Sequence, residues 1–266
     1  MKIGNKILKG FEFWLAVFNI SDWMYRNHNN YEWIYCNHMK KKNRKLKKII
    51  IVGAGGMGKE VLWTLMDINK VSNVFDVIGF LDDDKKLHGK KINGYPILGG
   101  INWLSNKKKI GCIIAIGDSR IRKKVVKKLK NFDVSFPSII HPSVIMSEFV
   151  TVGKGTIIHA GAIVPPDSEI GNFVFINLRG QIGHDCKIKD FVSIMAGVNI
   201  AGDTIIEEGA YIASGVTVGD DIKIGKWSVV GIGSAIGNDV KPYSLYLGNP
   251  GNFIRKIKDE KSRPKL

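Results

Sequence analysis

The stretch Val152–Ile236, VGKGTIIHAGAIVPPDSEIGNFVFINLRGQIGHDCKIKDFVSIMAGVNIAGDTIIEEGAYIASGVTVGDDIKIGKWSVVGIGSAI, decides the fold. Val or Ile stands at every sixth residue: Val152, Ile158, Val164, Ile170, Ile176, Ile182, Ile188, Ile194, Ile200, Ile206, Ile212, Val218, Ile224, Val230 and Ile236. An uninterrupted short period of this kind outranks any local signal. The residue four places on is small or β-branched at Thr156, Ser168, Val174, Gly180, Cys186 and Val192, and Gly often follows the aliphatic directly, as at Gly153, Gly171, Gly183 and Gly219. A period of six does not keep to one face of a 3.6-residue helix. It fits a three-sided coil with one short strand and one corner per hexad, and three hexads per turn. The aliphatics then stack inward from coil to coil as a continuous core, and the glycine after each is expected to supply the backbone turn. We read residues 138–241 as a left-handed parallel β-helix.

Outward from the repeat, charge and cysteine content narrow the function. The 266-residue chain carries a formal charge of +16 and is 44% hydrophobic, enough for a sizeable core. Residues 1–48 hold 11 Lys/Arg against 3 Asp/Glu, residues 242–266 hold 6 against 2, and residues 152–241 hold 7 against 10. The basic excess therefore lies mostly at the ends, no basic stripe with interleaved aromatics marks the repeat, and nucleic acid is not expected as a partner. Anionic substrates or an anionic membrane surface fit the charge as well. Cys36, Cys112 and Cys186 are odd in number and widely spaced, which suits a reducing cytoplasm better than a disulfide framework.

Before the repeat, Lys48–Val52 is a short apolar run ending in Gly53-Ala54-Gly55-Gly56-Met57-Gly58, with a helix expected over Lys59–Ile68. Strand, glycine turn and helix are the context in which such glycines bring a backbone close to a phosphate or sugar. A second strand, Val74–Leu81, ends in Asp82-Asp83-Asp84, and a third, Cys112–Ile116, ends in Gly117-Asp118 before a helix from Arg120 to Leu129. Alternating strands and helices predict a Rossmann-like α/β domain over 48–137. Ligands of such sheets sit at the strands' carboxyl ends, where Gly55, Gly56, Met57, Asp82, Asp83 and Gly117 fall. Asp82, Asp83 and Gly117 are expected to end two neighbouring strands.

Within the hexads, His184-Asp185 pairs a near-neutral base with a carboxylate that can raise its basicity and fix its tautomer. Adjacent side chains on a straight strand point apart, so the pair works only where a corner turns them together. His159 has no adjacent acid, His141 opens the coil, and His28, His38 and His88 lie outside the repeat. With two hexad histidines, a three-histidine zinc site is not expected.

Taken together, Gly53-Ala54-Gly55-Gly56, Gly79-Phe80-Leu81-Asp82-Asp83, Ile114-Ala115-Ile116-Gly117, Ile140-His141-Pro142-Ser143, Gly183-His184-Asp185-Cys186 and Gly248-Asn249-Pro250 resemble the sialic acid O-acetyltransferase family of hexapeptide-repeat sugar acyltransferases, over residues 48–257. That family includes bacillosamine and perosamine N-acetyltransferases of bacterial surface-glycan pathways. The resemblance implies acetyl-CoA as donor, no metal, a homotrimer with sites between neighbouring coils, and a nucleotide-linked amino sugar on the small domain. It makes His184 the general base and Asp185 its partner, and places Ser193, Gly202, Ser214 and Ile232 along the pantetheine of acetyl-CoA, whose oxyanion needs amide donors. Arg255 and Lys256 could meet cofactor phosphates. The chain departs from the family with Met57 and Ser193 where His is usual, and with Gly251-Asn252 where the closing motif usually reads Ala-Lys. N-acetylation leads; O-acetylation of sialic acid or a related sugar is the rival. A nicotinamide oxidoreductase leaves the coil unexplained, and a non-catalytic scaffold leaves His184-Asp185 unexplained.

The two ends remain. Residues 242–266 read as a basic tail and 1–47 as a basic extension containing Trp14, Trp23 and Trp33. Its run Phe11–Ile20 is too short to span a bilayer and lacks a small-residue cleavage site. We expect residues 1–38 to be dispensable for catalysis, with Met39 as an alternative start. The competing expectation is peripheral membrane contact, since tryptophans and lysines favour an anionic interface.

Overall fold

The computed structural model describes residues 46–257. The expectations about the N-terminal extension, including Met39 as a start, lie outside them. Strand β1 (Lys47–Val52) leads into helix α1 (Gly56–Ser72), followed by β2 (Phe75–Leu81), a small hairpin of β3 (Lys91–Ile92) and β4 (Tyr95–Pro96), then β5 (Ile110–Ile114), α2 (Ser119–Leu129) and β6 (Val134–Ser135). The sheet runs β2-β1-β5-β6, with parallel pairs throughout. Because β1 lies between β2 and β5, Asp82 and Gly117 end strands on opposite sides of β1 rather than neighbouring ones. α1 buries Val61, Leu62, Leu65 and Ile68. It starts inside the glycine motif, earlier than the apolar spacing suggested, because glycines without side chains supply no periodic signal. Asp118 caps α2 by accepting from the Arg120 and Ile121 amides.

The coil begins with Ile139–Ile140 and repeats at eighteen residues: Ile158 pairs with Ile176, Ile176 with Ile194, Ile194 with Ile212 and Ile212 with Val230, all in parallel register. It is a left-handed parallel β-helix whose stacked aliphatics form one apolar column. Polar side chains inside it are satisfied across coils: the hydroxyls of Thr156, Ser168 and Thr204 donate to the carbonyls of Gly171, Gly183 and Gly219. Ser244–Leu247 and Asn252–Lys256 close the last coil as an antiparallel pair.

The corners differ from the expectation in one respect. The left-handed residue is the third after each aliphatic, from Gly155 to Gly233 in steps of six, with φ between 53° and 71°. The glycines directly after the aliphatics serve close stacking instead: a Cβ on Gly153 would stand 2.5 Å from the Gly171 carbonyl carbon. At the true corners several positions carry side chains, among them Asp167, Phe173, Asp185, Phe191, Asp203, Asp221 and Trp227. A non-glycine residue there costs about 1–2 kcal/mol, less for Asp, so each is held by what surrounds it.

Candidate active site

The repeat of eighteen gives the prism three edges, and each has its own chemistry. Along the first, Phe173 stacks on Phe191 with centroids 5.2 Å apart and Phe136 meets Phe173 edge-on, while Lys123 of α2 lies over the rings of Phe191 and Trp227. Helix α2 docks here. Its Arg122 is fully buried and donates to the carbonyls of Phe173, Phe191, Val192, Ile116 and Gly117 and to Ser193 Oγ. One guanidinium thereby ties the end of β5 to two coils.

A second edge is glycine-rich, with Gly161, Arg179, Gly197, Gly215 and Gly233 at its corners. A Cβ on Gly197, Gly215 or Gly233 would meet nothing within 4 Å. Ser214 is half-buried beside it and accepts from the Gly233 amide, and Ile232 stands 73% exposed. This strip is open along its length.

The third edge carries Asp167, Asp185, Asp203 and Asp221 at its corners, with His184, Gly202 and Asp220 stacked beside them. The left-handed turn at Asp185 folds its carboxylate back to His184, giving a 2.9 Å hydrogen bond between His184 Nδ1 and Asp185 Oδ2. The pair that adjacent positions on a straight strand would hold apart is therefore brought together. A carboxylate only accepts, so Nδ1 carries the proton and Nε2 presents a lone pair. The ring is 62% exposed. Its pKa is raised above the ordinary histidine value, first by the Asp185 hydrogen bond and further by the charges of Asp185, Asp203 and Asp220.

In open α/β sheets the ligand crevice lies where the connections from two adjacent strands diverge, which on the small domain is beyond the ends of β1 and β5. A Cβ on Gly55 or Gly56 would meet nothing, so the N-terminus of α1 is uncovered there. Met57, half-buried, lies over Gly117, its Sδ and Cε 2.7 and 2.5 Å from where a Cβ would stand. The Asp82 carboxylate accepts from the Ala54 and Asp84 amides and so braces the glycine turn. Asp83 lines a separate shallow groove with Ile101, Asn102, Lys128, Asn131 and Phe132.

Two of the residues expected along acetyl-CoA are also bonded within the protein. Ser193 is fully buried; its hydroxyl donates to the Gly117 carbonyl at 2.7 Å and its amide to Ala210. It joins the two domains. The Gly202 amide donates to Asp220 Oδ1 at 3.0 Å. Arg255 and Lys256 are exposed on the C-terminal strand. Sequence reasoning missed Asp220, although 184, 202 and 220 share the eighteen-residue spacing that would have found it. Arg122 had no comparable signal among the basic residues of α2. His159, set aside in the sequence for want of an adjacent acid, is structural: it is buried against α1 with Nδ1 2.8 Å from Thr64 Oγ1. His141 is likewise structural, held by Asp67 and Ser143 under Trp63. Among the described residues no group of three or more His, Cys, Asp or Glu could hold a metal, and no helix is long and apolar enough to cross a membrane.

The PglD N-terminal domain family matches residues 48–129, and the bacterial transferase hexapeptide family (six repeats) matches 185–220. A UDP-N-acetylbacillosamine N-acetyltransferase of Bacillus subtilis (strain 168) is 31% identical over 122 residues, covering 42% of this chain and 50% of that protein. The chain thus matches half the length of this curated relative. Among solved structures, a mutant perosamine N-acetyltransferase from Caulobacter crescentus in complex with CoA and GDP-perosamine superposes with a TM-score of 0.73 at 26% identity, over 80% of this chain and 99% of that one. The acetyltransferase domain of PglB from Neisseria gonorrhoeae FA1090, in complex with acetyl coenzyme A, gives 0.72 at 25% identity, over 79% and 100%. WeeI from Acinetobacter baumannii AYE gives 0.72 at 28%, over 78% and 100%.

Proposed function

From a chain that joins a PglD N-terminal domain to the hexapeptide repeat of bacterial transferases, we infer an acetyl-CoA-dependent N-acetyltransferase acting on a nucleotide-linked amino sugar of bacterial surface-glycan biosynthesis. The observation that carries this is the His184–Asp185 pair on an open edge, with a lone pair free at Nε2. Relatives named for amino-sugar N-acetylation support it. His184 Nε2 takes the proton from the attacking amine, a general-base role suited to a pKa near neutrality. Asp185 holds the ring's Nδ1–H and stabilises the imidazolium that results. Acetyl-CoA supplies the activated acyl group, and Ser214, Ile232 and the glycine edge are the residues placed to receive its arm.

We assign the crevice of Gly55, Gly56, Met57 and Gly117, within residues 48–137, to the nucleotide sugar, and the coil of residues 138–241 to the donor. Asp83 belongs to this site only if the nucleotide extends into the side groove. The crevice meets the coil through Gly117 and Ser193, whereas His184 lies on a different edge. A homotrimer, in which a neighbouring copy's His184 serves the crevice, reconciles the two. A cytoplasmic location suits donor and acceptor alike.

The test is thiol release from acetyl-CoA with a panel of acceptors. Nucleotide-linked amino sugars should drive turnover, and their amino-free counterparts should not. Turnover with sialic acid alone would replace N-acetylation by O-acetylation; none with any acceptor would overturn the assignment.

A further inference from the structure

Resting on the reading of His184 as general base, we propose that Gly202 and Asp220 form a seat for its imidazole, Asp220 acting as a positioning residue through the Gly202 amide. His184, Gly202 and Asp220 are successive members of an eighteen-residue series, so three adjacent coils bring them into one column. A Cβ on Gly202 would stand 2.6 Å from His184 Cε1, 2.8 Å from Nε2 and 3.1 Å from Nδ1. The ring therefore lies directly against the Gly202 backbone, at a place where any side chain would lift it.

That backbone is fixed from both sides. The Asp203 amide donates to the His184 carbonyl and the Asp221 amide to the Gly202 carbonyl, each at 3.0 Å, tying the turn to the coils below and above. The remaining amide, Gly202 N–H, donates to Asp220 Oδ1 at 3.0 Å. Asp185 holds the ring at one nitrogen, which leaves rotation about that contact. The Gly202 surface removes this freedom, so that Nε2 is aimed before substrate arrives.

The charged groups facing His184 are Asp185 on its own turn and Asp203 and Asp220 on the turns stacked upon it. Asp220 thus contributes a hydrogen bond that orients and a charge that favours the protonated ring. Asn can still accept from Gly202 N–H but is uncharged; Ala does neither. Losing the charge lowers the His184 pKa, so the acid limb of kcat/KM moves to lower pH in both variants. Losing the hydrogen bond lowers the plateau only in the Ala variant.

Asp220→Ala, Asp220→Asn, Gly202→Ala and His184→Ala are compared as full chains by thiol release across the acid limb, with nitrogen NMR of the His184 ring. We expect Asp220→Ala to lose about tenfold in plateau kcat with the acetyl-CoA KM within about twofold, Asp220→Asn to keep its plateau, and Gly202→Ala to lose about a hundredfold, the scale of a displaced catalytic group. NMR should show a lower imidazole pKa in both Asp220 variants and a less populated Nδ1–H tautomer in Asp220→Ala. Should Gly202→Ala fail to fold, the two Asp220 variants carry the test. A wild-type plateau, limb and tautomer in Asp220→Ala, with His184→Ala inactive, would overturn the seat alone. Turnover retained by His184→Ala would overturn the general-base reading and the seat with it.

Discussion

Two edges of one coil share a backbone and differ in everything else. At the aromatic edge the left-handed corners that carry side chains are Phe173, Phe191 and Trp227; at the His184 edge they are Asp167, Asp185, Asp203 and Asp221, all with φ between 53° and 62°. Asp tolerates this conformation because its short polar side chain bonds locally, whereas a bulky ring does not. The aromatic corners are held by stacking and by the buried Arg122, so strain and adhesion occur together. The acidic corners need no such cover and stay open, which leaves a histidine accessible. A repeating backbone thus lets one side chain per coil decide whether an edge binds a domain or does chemistry.

The largest expected effect would break this division if it crossed from one edge to the other. His184→Ala should lower kcat by about 10²–10⁴-fold, the usual worth of a general base, with the melting temperature and oligomeric state of the wild type. Near-normal turnover would remove the chemistry from that edge. Arg122→Ala should do the reverse in stability: the carbonyls of two coils and of β5 lose a charged donor in a buried place, at a cost of about 3 kcal/mol or more. Denaturant unfolding measures it, and a change under 1 kcal/mol would mean that α2 is held by its aromatic and cation contacts instead.

The two histidines sharpen the same contrast, because burial and exposure shift them in opposite directions. His159, fully buried beside α1, is pushed down to about 4, chiefly by desolvation and also by His141. Its folded pKa lies below its unfolded one, so the unfolded chain takes up the proton first as pH falls from about 6.5 to about 4. Stability is full above that window and drops by roughly 3 kcal/mol across it. Unfolding curves at several pH values should show this loss, and His159→Leu should flatten that part of the profile. A wild-type slope persisting in the variant would assign the loss to other groups.

His184, held above its ordinary value chiefly by Asp185, must be neutral to accept a proton. The acid limb of kcat/KM should therefore lie above pH 6.5, and Asp185→Asn should move it down while also lowering the plateau. A limb unmoved in that variant would show that Asp185 orients the ring without tuning it. This is the smallest of the effects, since the pair is exposed and solvent screens its charges.

The hexads were legible in the sequence because a β-helix is quasi-one-dimensional: each coil contacts only its neighbours, so period alone sets strand, corner and register. The α/β order was legible for a similar reason, its strands and helices each announcing themselves locally. The same periodicity already contained the His184–Gly202–Asp220 column. Which residue of each corner turns left-handed was decided by coil closure, and the glycines that seemed to mark it answer to close stacking instead. Ser193 and Arg122 could not be placed from sequence at all. Their roles depend on α2 lying against one edge of the prism, a contact between segments about seventy residues apart. Local propensity carries no record of it, because its energy comes from packing, and from satisfying a buried guanidinium, once both domains have formed.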